Sequence, residues 1–447
     1  MREVYILNRL TVTNIEVEGN RLTINFKCKG QIRNFFNRYT KFIVEYDTSI
    51  QGVPEPILII PFLATVTPIA WANQADIYVK TVDATFLQSL EPVRKTLQRF
   101  YPKMKFNGKI YSENVLSLPV NNPKREMALF SGGVDSLTTF IRHQEKNPIL
   151  VSVQDAHLVA KRGLSRDYEW MNVASENIKR LFKSVKPEIR LIKSNWMFIP
   201  NFFSLGIYEQ KISGAWYLRV MHGLAFLGLC APLTFVEKVD KLYIASSHTA
   251  DEKIPCGSHP DIDNNVRWTG TNVEHDGYEL SRQEKIFLIA DYIRKSEPSL
   301  QIIACNDFNS RSRVGIGRNC NRCEKCNRTI LGLEIAGIDP NEYGFSVNGE
   351  TFLQMRKKIE NRAWRFGDEE VYIWCDLQKH GSNARIVPHQ EAQVFLDWLR
   401  KIDVECLRSK VTTKVLIDQR LMMFPYPVLK LTEKLYYLLV ARVKIFR

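Results

Sequence analysis

The sequence has no run of eighteen apolar residues, so no membrane-spanning helix is predicted. Its first residues, Met1-Arg-Glu-Val-Tyr-Ile-Leu-Asn, lack the apolar core of a secretory signal, and a cytoplasmic location is expected. Its 9 cysteines are an odd count, which argues against a disulfide framework in such a chain. From residue 330 onward no cluster of metal-ligating residues occurs, and residues 1–120 carry no catalytic constellation.

What is present is a chain of 447 residues, 45% hydrophobic and 25% charged, ordinary for two or three globular domains with ample core. The net charge of +14 asks for an anionic partner: nucleic acid, the phosphates of ATP, or an acidic protein. The excess is spread along the chain, with a local concentration in residues 311–328.

One stretch organises the rest: Ala128-Leu-Phe-Ser-Gly-Gly-Val-Asp-Ser-Leu137. Met127, Ala128, Leu129 and Phe130 read as a buried strand, Ser131, Gly132 and Gly133 break it, and residues 134–143 read as a helix with Leu137, Phe140 and Ile141 on one face. A strand, a glycine turn and a helix N-terminus make an anion site, because glycines let the backbone approach an oxyanion and the first free N–H groups point at it. Ser131 and Ser136 add hydroxyl donors. Asp135 repels a phosphate by itself; it suits this place if it caps the loop or helps hold a magnesium ion on the phosphates. The turn is neither a Walker A loop, since no Gly-Lys-Ser/Thr follows, nor G-x-G-x-x-G.

Upstream, Arg21-Leu-Thr-Ile-Asn-Phe-Lys and Lys41-Phe-Ile-Val-Glu-Tyr alternate as strands, residues 56–64 read as a more apolar strand, residues 76–80 as another, and residues 86–100 as an amphipathic helix. Residues 1–122 are therefore expected to be a β-rich accessory domain or docking surface, ended by the polar linker Val120-Asn-Asn-Pro-Lys-Arg-Glu. Downstream, residues 148–153, 189–193, 241–245 and 300–304 read as further strands, and residues 167–182 and 211–231 as helices, the latter enclosing Arg219 and His222. A lone arginine there calls for a partner, either a phosphate or a structural ion pair. His157 ends the second strand and His248 follows the fourth, at the sheet edge where ligands bind. Residues 254–278 read as a long irregular loop carrying Asp261 and His275, groups able to read a polar heterocycle. Ser281-Arg-Gln-Glu284 is a capping box. A mainly helical domain is expected over residues 336–447, with helices at 341–362, 389–407 and in the basic stretch 411–447, and a short strand or helix at 369–375.

Cys320-Asn-Arg-Cys323-Glu-Lys-Cys326 presents three thiols at the spacing that lets backbone N–H groups turn toward the sulfurs of one tetrahedral metal. Cys305 is the best candidate for the fourth ligand. A closed four-cysteine site is structural; an iron–sulfur cluster is the rival occupant.

Ser131-Gly132-Gly133-Val134-Asp135-Ser136 resembles the SGGxDS signature of the PP-loop ATP pyrophosphatases. Together with the C…CxxCxxC pattern it resembles the 7-cyano-7-deazaguanine synthase (QueC) family over about residues 127–330. The resemblance implies an α/β fold of the adenine-nucleotide α-hydrolase (HUP) type over residues 123–335, a parallel sheet with helices on both faces. It also implies zinc on Cys305, Cys320, Cys323 and Cys326. The implied chemistry is adenylation of 7-carboxy-7-deazaguanine by ATP, then attack by ammonia to give an amide and, after a second ATP-driven dehydration, the nitrile. Phe130, Ser131, Gly132, Gly133, Val134, Asp135, Ser136, His157 and Arg219 would then contact ATP, with Ser131, Asp135 and Ser136 catalytic, and His248, Asp261 and His275 would contact the deazapurine. The extra terminal regions and the longer gap between the first two cysteines look like the extended QueC-like proteins of bacterial anti-phage systems, the QatC-like and type IV CBASS forms. That resemblance leaves the acceptor amine open, ammonia or a protein amine, and makes a protein partner from the same defence operon an expectation. Two rivals stand beside it: a tRNA-modifying PP-loop enzyme and a non-catalytic nucleotide-binding scaffold.

Overall fold

Alternation in the strands Arg125–Leu129 (β6), Ile149–Gln154 (β7), Ile189–Ser194 (β8) and Val239–Ala245 (β9) divides their side chains between two cores. Met127, Val151, Ile192 and Leu242 enter one core. Their neighbours Ala128, Leu150, Leu191 and Tyr243 enter the other. Strands apolar on both faces need helices on both faces, the arrangement of a parallel sheet. The computed structural model, which describes residues 8–37, 41–119, 125–154, 178–182, 185–296, 299–305, 319–382 and 387–409, has that arrangement. Thr271–Asp276 (β11), β9, β6, β7 and β8 lie side by side, each parallel to its neighbours.

The N-terminal strands continue the same sheet. Arg9–Glu18 (β1), Arg21–Lys29 (β2), Lys41–Tyr46 (β3), Asp76–Asp83 (β4) and Ile110–Leu116 (β5) extend it, and Arg267–Trp268 (β10) closes the other edge. The described residues form one 11-stranded sheet in the order β10-β11-β9-β6-β7-β8-β3-β2-β1-β4-β5. The two parts meet at an antiparallel seam pairing Val44, Glu45 and Tyr46 with Ser194, Lys193 and Ile192. Asn195 secures the seam: its Oδ1 accepts from Ile43 N at 2.8 Å, and its Nδ2 donates to Lys41 O at 2.9 Å. The described residues of this N-terminal region thus share a core with β6 and β9.

Several expectations are corrected. Residues 56–64 are not a strand but parts of the helices Glu55–Leu58 and Ile60–Ala72. All thirteen residues of the second helix are buried, and a helix apolar all round has no periodicity to announce it. Residues 211–231 are not one helix. Ser213 at φ 52 and Gly214 at φ 153 break it, and the chain restarts as a π-helical turn, Tyr217–Met221, followed by His222–Leu229. Tyr217–Val236 is long and apolar enough to cross a membrane, yet it is mostly buried inside the protein. Residues 254–278 are not all loop, since β11 is a sheet strand paired with β9. Residues 300–304 form no strand; they bond to loops, Ile302 N to Tyr343 O at 3.1 Å and Ile303 N to Gly132 O at 2.8 Å. Beyond residue 335 the described elements are helical, chiefly Thr351–Glu360, Asp368–Gly381 and Gln390–Leu399. Most of residues 167–182 and all of residues 411–447 lie outside the described residues.

The helices Ile60–Ala72 and His222–Leu229 cross at Gly228, where an added Cβ would lie 2.3 Å from Ala64 Cβ. Gly228→Ala is expected to overpack this crossing and lower stability by about 1–3 kcal/mol in urea denaturation.

Candidate functional site

The ladder of β6 ends where Phe130 N donates to Val151 O at 2.8 Å. Gly132 then takes φ +74, and a Cβ there would lie 2.7 Å from Leu181 Cδ1. Both the backbone conformation and the space call for glycine. Gly133 is the N-cap of the helix Val134–His143 and offers no capping side chain. Ser131 Oγ and Ser136 Oγ are 3.2 Å apart, Ser131 N donates to Ser136 Oγ at 3.2 Å, and Ser136 Oγ donates to Gly133 O at 3.1 Å. The turn is thus a hydroxyl-laced loop at the carboxyl end of β6, with Ser131 exposed to solvent.

Asp135, in the first turn of that helix, is a counterion. Arg282 Nη1 donates to its two oxygens at 3.0 and 2.9 Å, and Lys285 Nζ reaches Oδ1 at 3.3 Å and Ser246 O at 2.6 Å. Burial works to raise the Asp135 pKa, but the charges of Arg282, Lys285 and Lys325 outweigh it and hold the carboxyl well below the usual carboxylate range. Burial, then the charges of Arg328 and Arg282, lower Lys325 to about 8. Arg328 has its Nη1 3.6 Å from Glu324 Oε2 and its Nη2 3.6 Å from Glu369 Oε1. Glu324 Oε1 instead accepts Trp374 Nε1 at 2.8 Å.

The capping box holds as read: Ser281 and Glu284 cap the helix Arg282–Lys295. Sequence reasoning missed the cations beside it. Arg282 and Lys285 sit three apart in that helix's first turn, and Lys325 and Arg328 three apart near the start of Glu324–Ile335. Cations at a helix N-terminus oppose the macrodipole, and this was the legible signal.

The four sulfurs of Cys305, Cys320, Cys323 and Cys326 all lie within 4.8 Å of one another. Cys320 Sγ and Cys326 Sγ are 3.8 Å apart, close to the ~3.8 Å edge of a tetrahedron with ~2.3 Å metal–sulfur bonds. Cys323 N donates to Cys320 Sγ at 3.3 Å and Cys326 N to Cys323 Sγ at 3.4 Å, the N–H···S pattern of a metal knuckle. The group can hold one metal ion such as zinc. Asn319, also missed, ties it to the preceding segment: its Oδ1 accepts from Ala304 N at 2.8 Å and Cys305 N at 3.2 Å, and its Nδ2 donates to Ile302 O at 2.8 Å. Ile303, inside that segment, holds Gly132 O. The knuckle therefore buttresses the glycine turn.

Comparison with protein-family models, curated proteins and solved structures finds no match. The reading of the site rests on its geometry.

The other sequence candidates divide. His157 lies outside the described residues. Arg219 Nη1 donates to Pro255 O at 2.7 Å. It braces the loop before Cys256. Asp261 is half-exposed and pairs with Arg99 at 2.5 Å. His275 is enclosed, its Nδ1 2.8 Å from Asp263 Oδ2 with both side chains buried. His248 stands at the carboxyl end of β9, with Ser246 Oγ bonded to its carbonyl at 2.7 Å. A second group able to hold a metal, His143, Glu274 and Asp276, is already paired: Thr139, Arg142 and His143 contact Asp276, and Lys241 contacts Glu274.

Burial opposes charge on His248, but the Cys256 thiol and Glu252 carboxylate beside it push its pKa up to about 10. A raised histidine stabilises fully below its unfolded value of about 6.5 and loses that contribution as pH rises through the folded value. The stability difference between wild type and His248→Asn is expected to be largest near about pH 6 and to shrink toward about pH 10, read by urea denaturation at each pH. Elemental analysis is expected to find one metal equivalent per chain, lost in Cys326→Ser; a brown chromophore would identify an iron–sulfur cluster instead.

Proposed function

We propose that this chain is an ATP-dependent adenylating enzyme of the PP-loop kind, acting on 7-carboxy-7-deazaguanine or a related deazapurine carboxylate. The observation that carries the reading is the open Ser131–Ser136 turn at the carboxyl edge of a parallel sheet, with its φ +74 glycine, its uncapped helix N-terminus and the buried cations Arg282 and Lys285 paired with Asp135. A carboxylate oxygen attacks the α-phosphorus, the α–β bridging oxygen leaves with pyrophosphate, and an acyl-adenylate remains. An amine nitrogen then attacks the acyl carbon, AMP departs, and the amine proton passes to solvent. Backbone N–H groups of Gly133 and Val134, with the Ser131 and Ser136 hydroxyls, bind the phosphates. Stabilisation of the charge growing on the leaving pyrophosphate supplies the rate.

Asp135 does not fit a magnesium site here, because both its oxygens are committed to Arg282 and Lys285. No step is derived through a metal on Asp135; magnesium would arrive on ATP. The cysteine group fits zinc through Cys305, Cys320, Cys323 and Cys326, where four thiolates close the coordination shell and the ion is structural. The reading is of a cytoplasmic enzyme, with a protein from the same defence operon as a candidate acceptor.

Mass spectrometry of a reaction with ATP, magnesium, 7-carboxy-7-deazaguanine and ammonium, with and without candidate partner proteins, tests it. AMP together with an amide, a nitrile or a deazapurine-modified protein is expected. Absence of AMP under every condition overturns it in favour of a nucleotide-binding scaffold.

A further inference from the structure

The two strands at the edges of the sheet are built in opposite ways. β10 is 2 residues long, a short edge of the kind that natural sheets use to discourage pairing with another chain. β5 runs for 7 residues, keeps one register along β4, and contains neither proline nor a basic residue. Glu113 is its single charge. In a parallel pair, alternate residues bond to the neighbouring strand and those between face away from it. Ile77 N donates to Lys109 O at 2.8 Å, so the backbone groups of Tyr111, Glu113 and Val115 turn toward β4. Those of Ile110, Ser112, Asn114 and Leu116 turn outward, where Ser112 Oγ meets Asn114 O at 2.8 Å.

The side chains at this edge are apolar to an unusual degree. Among the described residues 6 large hydrophobic side chains are exposed, and three of them are on β5: Tyr111 at 44%, Val115 at 52% and Leu116 at 39%. Tyr111 stacks on Tyr78 of β4 with ring centroids 5.0 Å apart, and Arg9 lies over Tyr78 at 5.7 Å. An aromatic shelf thus borders the edge. Lys103, Lys105 and Lys109, in the segment that leads into β5, are exposed.

We propose that β5 is a docking strand for an extended, acidic segment of a protein partner, which joins the sheet by strand addition. The outward backbone groups supply the main-chain bonds, and alternate apolar side chains of the segment rest on Tyr111 and Val115. Acidic residues at one end of the segment lie along Lys103, Lys105 and Lys109, which fixes its direction. A second copy of this chain fits less well. The two-fold antiparallel register that pairs all of Ile110–Leu116 sets Glu113 opposite Glu113, and like charges directly opposite are destabilising. In strand order β5 stands seven places from β6, and the inference goes beyond the adenylation reading without resting on it.

The test is selection of random displayed peptides of about twelve residues on the full-length protein, then titration of the enriched synthetic peptides into wild type and variants by fluorescence polarisation. Enriched peptides are expected to alternate apolar residues, to carry acids at one end, and to slow hydrogen exchange over residues 110–116. Asn114→Pro removes an outward N–H that β4 does not use, and edge strands tolerate proline. It is expected to weaken binding at least tenfold with circular dichroism unchanged; if it does not fold, Val115→Lys carries the same expectation. The double variant Lys103→Glu, Lys105→Glu is expected to weaken binding at least fivefold. Failure to enrich any peptide, or affinity for the folded edge variant within twofold of wild type, overturns the docking strand. Enrichment of peptides without acids overturns the acidic partner. A wild-type dimer in sedimentation that Asn114→Pro abolishes assigns the edge to a second copy and overturns the proposal.

Discussion

Positive charge crowded around one carboxylate is the constraint on which the carboxyl edge of this sheet depends. Arg282, Lys285, Lys325 and Arg328 are all held near Asp135, and each raises the electrostatic cost of the others. An arrangement built only for stability would place carboxylates at the starts of these two helices, where the backbone dipole favours them. Glu284 and Glu324 do sit there, but Glu284 caps its own helix and Glu324 takes a tryptophan N–H. Asp135, Glu324 and Glu369 offset part of this charge, yet Nε and Nη2 of Arg282 and Nε and Nη1 of Arg328 have no hydrogen-bond partner.

The scaffold holds this charge through three attachments. Lys285 bridges Asp135 to the carbonyl that follows β9, so loop, helix and sheet share one ammonium. Asn319 and the cysteine group bind the segment that reaches Gly132 through Ile303. The Trp374 indole ties the helix after the knuckle to the C-terminal helices. Each is a long-range contact, so the site assembles only when the whole second core has closed.

The N-terminal region has a different part. Its strands lengthen the sheet across an antiparallel seam, and Ile60–Ala72 covers one face of the parallel half through close contact with Gly228. Arg99 from its amphipathic helix pairs with Asp261, and Tyr101 OH donates to Arg219 O at 2.6 Å. Asp261 and the backbone of Arg219 thus help hold this region against the rest.

The sequence by itself determined the local features. The Ser131–Ser136 turn is legible because glycine is needed where φ is positive and because an apolar run stops there. The cysteine group is legible from its two-residue spacing, and β6 to β9 from apolar runs bounded by turn residues. Those signals act over a few residues. Only the tertiary structure decided that residues 56–64 are helical, since a wholly buried segment shows no period, and that Thr271–Asp276 is a strand, since its polar side chains are satisfied by distant partners. It alone brought Arg282, Lys285, Lys325 and Arg328 together. Convergence of charges from two helices far apart in the chain is set by the packing of those helices, and no local pattern encodes it.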